Sequence, residues 1–82
     1  PISEQSYSIS IKNNLLQVKI NDESLTIKQV QLFNLYGQVL FNEKFNGFYY
    51  NKIIPEIKTG IYIIRIENGG EIFTKKILIN FE

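Results

Sequence analysis

Short runs in which apolar and polar residues alternate constrain the fold of this 82-residue chain more than any other feature. The first run extends from Tyr7 to Lys12, where every second residue is apolar. A period of two is typical of a β-strand with one buried face. Further runs follow at intervals of about 8–12 residues, as in small all-β domains, and turn-forming pairs such as Asn13-Asn14 separate them.

The alternating runs predict seven strands and no helix. Between the fourth and fifth strands, Asn46-Gly47 is a strong signal for a two-residue hairpin turn. Pro55 ends the fifth strand, because proline has no N–H for a ladder hydrogen bond. Seven short strands predict a small antiparallel β-sandwich, immunoglobulin-like in architecture. The predicted strands cover residues 7–12, 16–20, 26–34, 38–45, 48–54, 61–67 and 71–79.

The apolar residues on one face of each strand form the predicted core. It comprises Tyr7, Ile9, Ile11, Leu16, Val18, Ile20, Val30, Leu32, Val39, Phe41, Tyr62, Ile64, Ile66, Phe73, Ile77 and Ile79.

Length and composition exclude several classes of protein. The chain is long enough for one small domain, and a formal charge of +1 is too small to recruit nucleic acid or an anionic membrane. No apolar run approaches the ~20 residues of a membrane-spanning helix. The chain begins at Pro1 without an initiator Met or the pattern of a signal peptide. We therefore expect residues 1–82 to be one domain cut from the C-terminal end of a longer secreted protein.

The side chains needed for common catalytic and metal sites are scarce. Cysteine and histidine are absent, which removes the commonest nucleophile–base pairs and metal ligands. Asp22-Glu23 is a candidate for weak calcium binding, but one turn supplies too few of the six to eight oxygens that calcium requires. The sequence predicts no enzyme, and no catalytic, cofactor or metal site.

Aromatic residues cluster around Asn46-Gly47. Exposed rings beside a turn can bind a sugar or a protein, so Tyr49 and Tyr50 are candidates for a small carbohydrate- or protein-binding surface. Cross-strand packing with Phe45 and Phe48 is the more common role for such rings. Alternation predicts that one ring of the cluster is exposed while the others join the core.

The Lys75-Lys76 pair in the last predicted strand also has two interpretations. Neighbours along a strand point to opposite faces, so the two lysines cannot form one tight patch. Lysines on an edge strand commonly prevent aggregation through that edge. The alternative is a recognition feature for a partner. A weak dimer through an edge strand is a further possibility.

Three segments of the chain, residues 30–40, 57–66 and 69–79, together resemble the type A C-terminal sorting domain of the Bacteroidetes type IX (Por) secretion system. The resemblance lies in a strand that leads to Tyr36-Gly37, in Thr59-Gly60-Ile61-Tyr62, and in Gly69-Gly70 before Lys75-Lys76. The chain departs from the family in lacking a Tyr-Pro-Asn-Pro-like opening, and in having Gln38, Ile57 and Lys58 where arginine or lysine, leucine and proline are usual.

The resemblance implies a non-catalytic β-sandwich that directs an N-terminal cargo domain across the periplasm and the outer membrane to the cell surface or beyond. Its implied partners are the outer-membrane translocon and a surface sortase that cleaves or anchors the cargo. The glycines would shape turns, and the two lysines would be read on the surface. The residues that match the sorting motif are Gly37, Gly60, Tyr62, Gly69, Gly70, Lys75 and Lys76.

Overall fold

The computed structural model describes residues 6–22, 24–54 and 56–80, and these residues form seven β-strands. The alternation of buried and exposed residues along most strands matches the period of two in the sequence. The strands are β1 (Tyr7–Lys12), β2 (Leu15–Ile20), β3 (Ile27–Phe33), β4 (Val39–Gly47), β5 (Tyr49–Ile53), β6 (Gly60–Glu67) and β7 (Ile72–Ile79).

The strands form two antiparallel sheets that pack face to face. One sheet has the order β1-β2-β5 and the other β4-β3-β6-β7. Side chains cross between the sheets at both sides of the sandwich, since Tyr7 of β1 contacts Phe73 of β7 and Phe45 of β4 contacts Tyr50 of β5. The predicted all-β sandwich is confirmed, and its architecture is compatible with an immunoglobulin-like fold.

The core between the sheets contains most of the predicted residues. Ile9, Ile11, Phe41, Phe73 and Ile77 pack against it while remaining partly exposed. The prediction missed Ile27, Tyr50 and Ile54, and it wrongly included Val39. The buried members that the sequence predicted are Tyr7, Leu16, Val18, Ile20, Val30, Leu32, Tyr62, Ile64, Ile66 and Ile79.

A β-bulge explains the error at Val39. Leu32 of β3 lies opposite Phe41, but the next residue, Phe33, lies opposite Val39, so Leu40 is an extra residue in β4. An extra residue in one strand shifts the side chains that follow it to the opposite face of the sheet. Val39 consequently points to the outer face and is 52% exposed, while Leu40 packs partly against the core.

The predicted hairpin at Asn46-Gly47 is also wrong. Strand β4 continues through Gly47, whose φ is not positive as a two-residue hairpin turn of the Asn-Gly type would require. The chain then crosses to the other sheet at Phe48, and β5 pairs with β2 instead of β4. The carbonyl of Phe48 accepts a hydrogen bond from the N–H of Ile20 at 2.9 Å, which anchors this crossing to the end of β2.

The turn between β1 and β2 forms where the sequence predicts it. Asn13 and Asn14 both have positive φ, at 53° and 63°, and Lys12 lies directly opposite Leu15 across the hairpin. Asparagine tolerates this left-handed conformation better than most residues, which suits the pair to a two-residue turn. Pro55, the predicted end of the fifth strand, lies outside the described residues.

Candidate functional site

Tyr62, which the resemblance places in a sorting motif, is part of the folded framework. Its ring is buried on the inner face of β6, and its hydroxyl donates a hydrogen bond to the backbone carbonyl of Lys58, four residues earlier. This geometry is the tyrosine corner of β-sandwich domains, in which a tyrosine near the start of a strand fixes the preceding connection. The Gly-Ile-Tyr segment therefore secures the chain as it enters β6.

The motif glycines do not share one backbone role. Gly37 and Gly69 have positive φ, at 85° and 96°, and both lie in turns. Glycine adopts this conformation without steric cost, so these two residues shape turns as expected. Gly60 and Gly70 do not have positive φ, and a Cβ at either position would meet no close atom. Turn conformation therefore explains glycine at two of the four positions, and the structure gives no physical reason for the other two.

The register of the sheet separates the motif glycines into two groups. Gly60 pairs with Ile79 at one end of the β6–β7 hairpin, and the β3–β4 loop that contains Gly37 lies at the same end of the sheet. Gly69 and Gly70 form the turn at the opposite end, after Glu67. The motif residues thus surround the hairpin and do not converge on one pocket.

The two lysines of β7 face opposite sides of the sheet. Lys75 pairs with Ile64 and is half-buried on the side that faces the other sheet, where Phe73 and Ile77 also lie. Lys76 pairs with Ile63 and is exposed on the outer face. The surface of the hairpin that solvent reaches most freely therefore carries the charge of Lys76.

Apolar side chains accompany Lys76 on this outer face. Ile61 and Leu78 lie opposite each other across the β6–β7 ladder, and both are exposed. Ile72 is exposed at the other end of β7. A contiguous apolar patch can serve as an interaction surface, whereas single exposed apolar side chains are ordinary.

The candidate platform of Tyr49 and Tyr50 is not formed. Tyr50 points into the sandwich and is only 3% exposed, whereas Tyr49 points outward and is 50% exposed. Phe48 is exposed as well, so two rings of the cluster reach solvent and the expectation of a single exposed ring is wrong. The Tyr49 hydroxyl accepts a hydrogen bond from Nε2 of Gln17 at 2.8 Å, which holds this ring against its own sheet.

Tyr50 instead belongs to a polar contact that sequence analysis missed. Its hydroxyl donates to Oε1 of Glu43 at 2.6 Å, and Nζ of Lys52 lies 2.8 Å from the same oxygen. The Lys52 ammonium also lies 5.1 Å from the centre of the Phe41 ring, within the range of a cation–π interaction. No local signal predicts this group, because Glu43 and Tyr50 lie in different sheets.

The contact shifts the pKa values of its members in opposite directions. The hydrogen bonds from Lys52 and then from Tyr50 hold the pKa of the Glu43 carboxyl below its usual value. Burial, reinforced by the hydrogen bond to Glu43, raises the pKa of the Tyr50 phenol. Both shifts favour a charged carboxylate and a neutral phenol. The arrangement is therefore a stable structural link and not a proton donor–acceptor pair poised for catalysis.

The Asp22 carboxylate, in the turn after β2, is engaged by Ser24. Oδ1 of Asp22 accepts hydrogen bonds from the N–H and the hydroxyl of Ser24, at 2.9 and 2.7 Å. The hydrogen bond from the Ser24 hydroxyl lowers the pKa of the Asp22 carboxyl most, and the bond from the Ser24 N–H lowers it further. Glu23, the other residue of this candidate, lies outside the described residues. Among residues 6–22, 24–54 and 56–80, no three acidic, histidine or cysteine side chains are grouped as metal ligands.

The concave surfaces near the β1–β2 turn are shallow and open. One hollow of about 490 Å³ lies beside Lys12, Leu15 and Ile53, and a second of about 310 Å³ lies beside Leu78 and Asn80. Their linings combine amide and aliphatic side chains with the single charge of Lys12. Neither lining contains a nucleophile beside a base, the arrangement that covalent catalysis requires.

Comparison with known families shows to which family the chain belongs. Residues 4–80 match the family described as the secretion system C-terminal sorting domain. The chain belongs to this family. The match includes β1 and β2, so the sorting-domain resemblance extends across the N-terminal third as well as the three segments from Val30 onward. No curated protein sequence matches the chain significantly.

As a member of this family, the chain is a C-terminal sorting signal of type IX secretion, which implies export to the cell surface or the extracellular space. The family also implies a cargo joined to its N-terminal side and recognition by the secretion machinery. Within the described part of the sorting domain, no helix has the length and hydropathy needed to cross a membrane.

Proposed function

We propose that this sorting domain is a non-catalytic module at the C-terminal end of a secreted protein. It accompanies its cargo through the periplasm and is recognised there by the outer-membrane translocon. After passage a surface sortase cleaves the domain or anchors the cargo. The observation that carries this proposal is the family match over residues 4–80, nearly the whole chain.

The distribution of the motif residues supports recognition of a folded surface. The hydroxyl of Tyr62 donates a hydrogen bond to the backbone carbonyl of Lys58, and Gly69 adopts the positive φ that its turn requires. These residues act by maintaining the hairpin. Lys76 and the neighbouring apolar side chains of Ile61 and Leu78 remain available to a partner. We therefore assign Tyr62 and Gly69 to maintaining the fold of the hairpin. Lys76, Ile61 and Leu78 are assigned to contact with the secretion machinery.

The proposal is tested by attaching residues 1–82 to the C-terminus of a periplasmic reporter in a cell that contains the type IX machinery. We expect the intact domain to deliver the reporter to the cell surface, and a truncation lacking residues 71–82 to leave it in the periplasm. A reporter retained in the periplasm with the intact, folded domain attached would contradict the proposal.

Removal of β7 also deletes core residues such as Ile79, so loss of folding needs its own control. The variant Val18→Ala weakens the core in the other sheet and leaves the hairpin unchanged. Delivery by a folded Val18→Ala domain, beside retention of the truncated one, would locate the signal in the hairpin. Equal retention of both would indicate that delivery depends only on overall stability.

A further inference from the structure

The outer face of the sheet formed by β1, β2 and β5 carries positive charge only. Strand alternation turns every second residue of these strands outward, and none of the outward residues is acidic. Lys12 and Lys19 are exposed on this face, and no described residue forms an ion pair with either. The outer face of the other sheet differs, since it includes the carboxylate of Glu67. A ligand lying along the first face therefore meets two ammonium groups and no carboxylate.

Three side chains in the middle of this face are joined by hydrogen bonds. Nε2 of Gln17 donates to the hydroxyl of Tyr49 at 2.8 Å and to Oδ1 of Asn51 at 3.2 Å. The Tyr49 O–H, the amide N–H groups of Asn51 and the carbonyl of Gln17 remain for a ligand. A half-exposed ring beside such amide groups suits a sugar, whose C–H face packs on the ring while its hydroxyls donate and accept. The buried Tyr50 has no part in this group.

A hollow of about 490 Å³ extends the group toward the β1–β2 turn. Leu15 and Ile53, which lie opposite each other, form the aliphatic part of its lining, and Gln17 and Lys12 add polar groups. This volume and this mixture of groups are typical of ligand sites. Because Gln17 belongs to both, the hollow and the hydrogen-bonded group form one continuous surface. Strand β2 rises about 13 Å from Leu15, opposite Lys12, to Lys19, so a ligand that reaches both lysines is an oligomer.

We propose that the outer face of the β1-β2-β5 sheet binds an oligosaccharide that carries carboxylates. A sugar ring packs on Tyr49, and its hydroxyls bond to Gln17 and Asn51. Carboxylates of neighbouring units lie beside Lys12 and Lys19. The lysines account for selection of an acid, and the ring with its amide groups accounts for selection of a sugar over an acidic peptide. The net charge of +1 supplies no long-range attraction, so selection acts at contact distance.

The test titrates the full 82-residue chain with three probes and follows its backbone amide NMR signals. The probes are an oligomer of galacturonic acid, the same oligomer with its carboxylates reduced to alcohols, and a polyglutamate of equal charge. We expect the acidic sugar to shift the signals of β2 and β5 around Gln17 and Asn51. It should bind roughly tenfold more tightly than the reduced sugar, a difference that two exposed ion pairs can supply. Polyglutamate should bind more weakly than the acidic sugar.

A pair of double variants tests the contribution of charge. Lys12→Ala combined with Lys19→Ala should remove the preference for the acidic sugar over the reduced one. Lys44→Ala combined with Lys76→Ala removes two exposed lysines from the other sheet and should retain the preference. A native-like amide spectrum shows that each variant is folded.

A second pair of variants tests the contribution of the ring. Tyr49→Ala should weaken the binding of both sugars, because the stacking surface is lost. Tyr36→Ala removes a ring that is exposed in the β3–β4 loop and should leave both affinities unchanged. Equal affinity for the two sugars, no binding of either, or signal shifts confined to the other sheet would overturn the proposal. Polyglutamate that binds as tightly as the acidic sugar would also overturn it, because charge alone would then explain the binding.

The sugar site goes beyond the sorting function and does not depend on it. The proposed contact with the secretion machinery lies on the outer face of the β6–β7 hairpin, and the sugar site lies on the opposite face of the sandwich. Failure of the intact domain to deliver its reporter contradicts the sorting function and leaves the sugar site standing. Failure of the titration contradicts the sugar site alone.

Discussion

The hydroxyl of Tyr50 lies 2.6 Å from Oε1 of Glu43, and this hydrogen bond joins the edge strand of one sheet to the edge strand of the other. Lys52 reinforces the link through an ion pair at 2.8 Å with the same oxygen. The Phe45 ring meets the Tyr50 ring edge-on, with the ring centres 5.4 Å apart. Polar and aromatic contacts together close the sandwich on the side of β4 and β5.

Replacement of Tyr50 by phenylalanine tests the energetic weight of this link. The substitution keeps the buried ring and removes the hydrogen bond to a carboxylate, so we expect the free energy of unfolding to fall by about 1–2 kcal/mol. Tyr49→Phe removes a comparable hydroxyl on the exposed face and should cost less than about 0.5 kcal/mol. Urea denaturation of both variants measures the difference, and equal effects would contradict the structural role of Tyr50.

The depressed pKa of Glu43 predicts a loss of stability in acid. Its carboxylate is stabilised in the folded chain, so the folded state binds fewer protons than the unfolded state near the usual carboxyl pKa of 4.5. The contribution of Glu43 to the free energy of unfolding is therefore present above pH 4.5. It decreases as the pH falls through the lower pKa of this carboxyl in the folded state. Glu43→Gln should show a flatter decline in denaturation midpoint below pH 4.5. An unchanged slope would show that this carboxyl does not contribute.

The tyrosine corner predicts that Tyr62 matters to folding more than to recognition. Tyr62→Phe leaves the Lys58 carbonyl without its hydroxyl donor, and we expect a loss of about 1–2 kcal/mol in unfolding free energy. Lys58→Ala should be close to neutral, because the acceptor is a backbone atom. Tyr36→Phe is a second control, since Tyr36 is 92% exposed. Thermal or urea unfolding distinguishes these cases, and a stable Tyr62→Phe domain would contradict the assignment.

The two glycines of the β6–β7 turn provide a matched pair. Gly69 has a φ of 96°, so Gly69→Ala should destabilise the domain by about 1 kcal/mol or more. Gly70 lacks positive φ and a Cβ there would enter open space, so Gly70→Ala should change stability by less than about 0.5 kcal/mol. Urea denaturation again measures both. Equal destabilisation would show that the turn conformation is not what selects glycine at residue 69.

The features that the sequence predicts are those set by local pattern. Alternation located all seven strands, and Asn13-Asn14 identified its turn because two consecutive residues with positive φ favour asparagine. The resemblance identified the family from segments of the last two thirds of the chain. The strand and turn signals are each contained within a few neighbouring residues, and the resemblance combines three short segments in order, so sequence alone was sufficient to recognise them.

The predictions that were wrong depended on pairing between distant segments. The extra Leu40 in β4 turns the Val39 side chain to the outer face of the sheet. Nothing in the local sequence indicates on which strand a bulge will form. Asn46-Gly47 has the composition of a hairpin turn, yet pairing of β5 with β2 directs the chain across to the other sheet. The Glu43–Tyr50 link spans the two sheets, so it forms only because the chain makes this crossing. Tertiary pairing overrides local turn propensity at these positions.

Dependence of export on the type IX machinery tests the central claim most directly. A periplasmic reporter carrying residues 1–82 at its C-terminus would be expressed in a competent cell and in the same cell with its outer-membrane translocon inactivated. The account predicts reporter at the cell surface or in the medium of the competent cell, and reporter confined to the periplasm of the inactivated one. Equal surface delivery by both cells, or periplasmic retention of a folded domain in both, would contradict it.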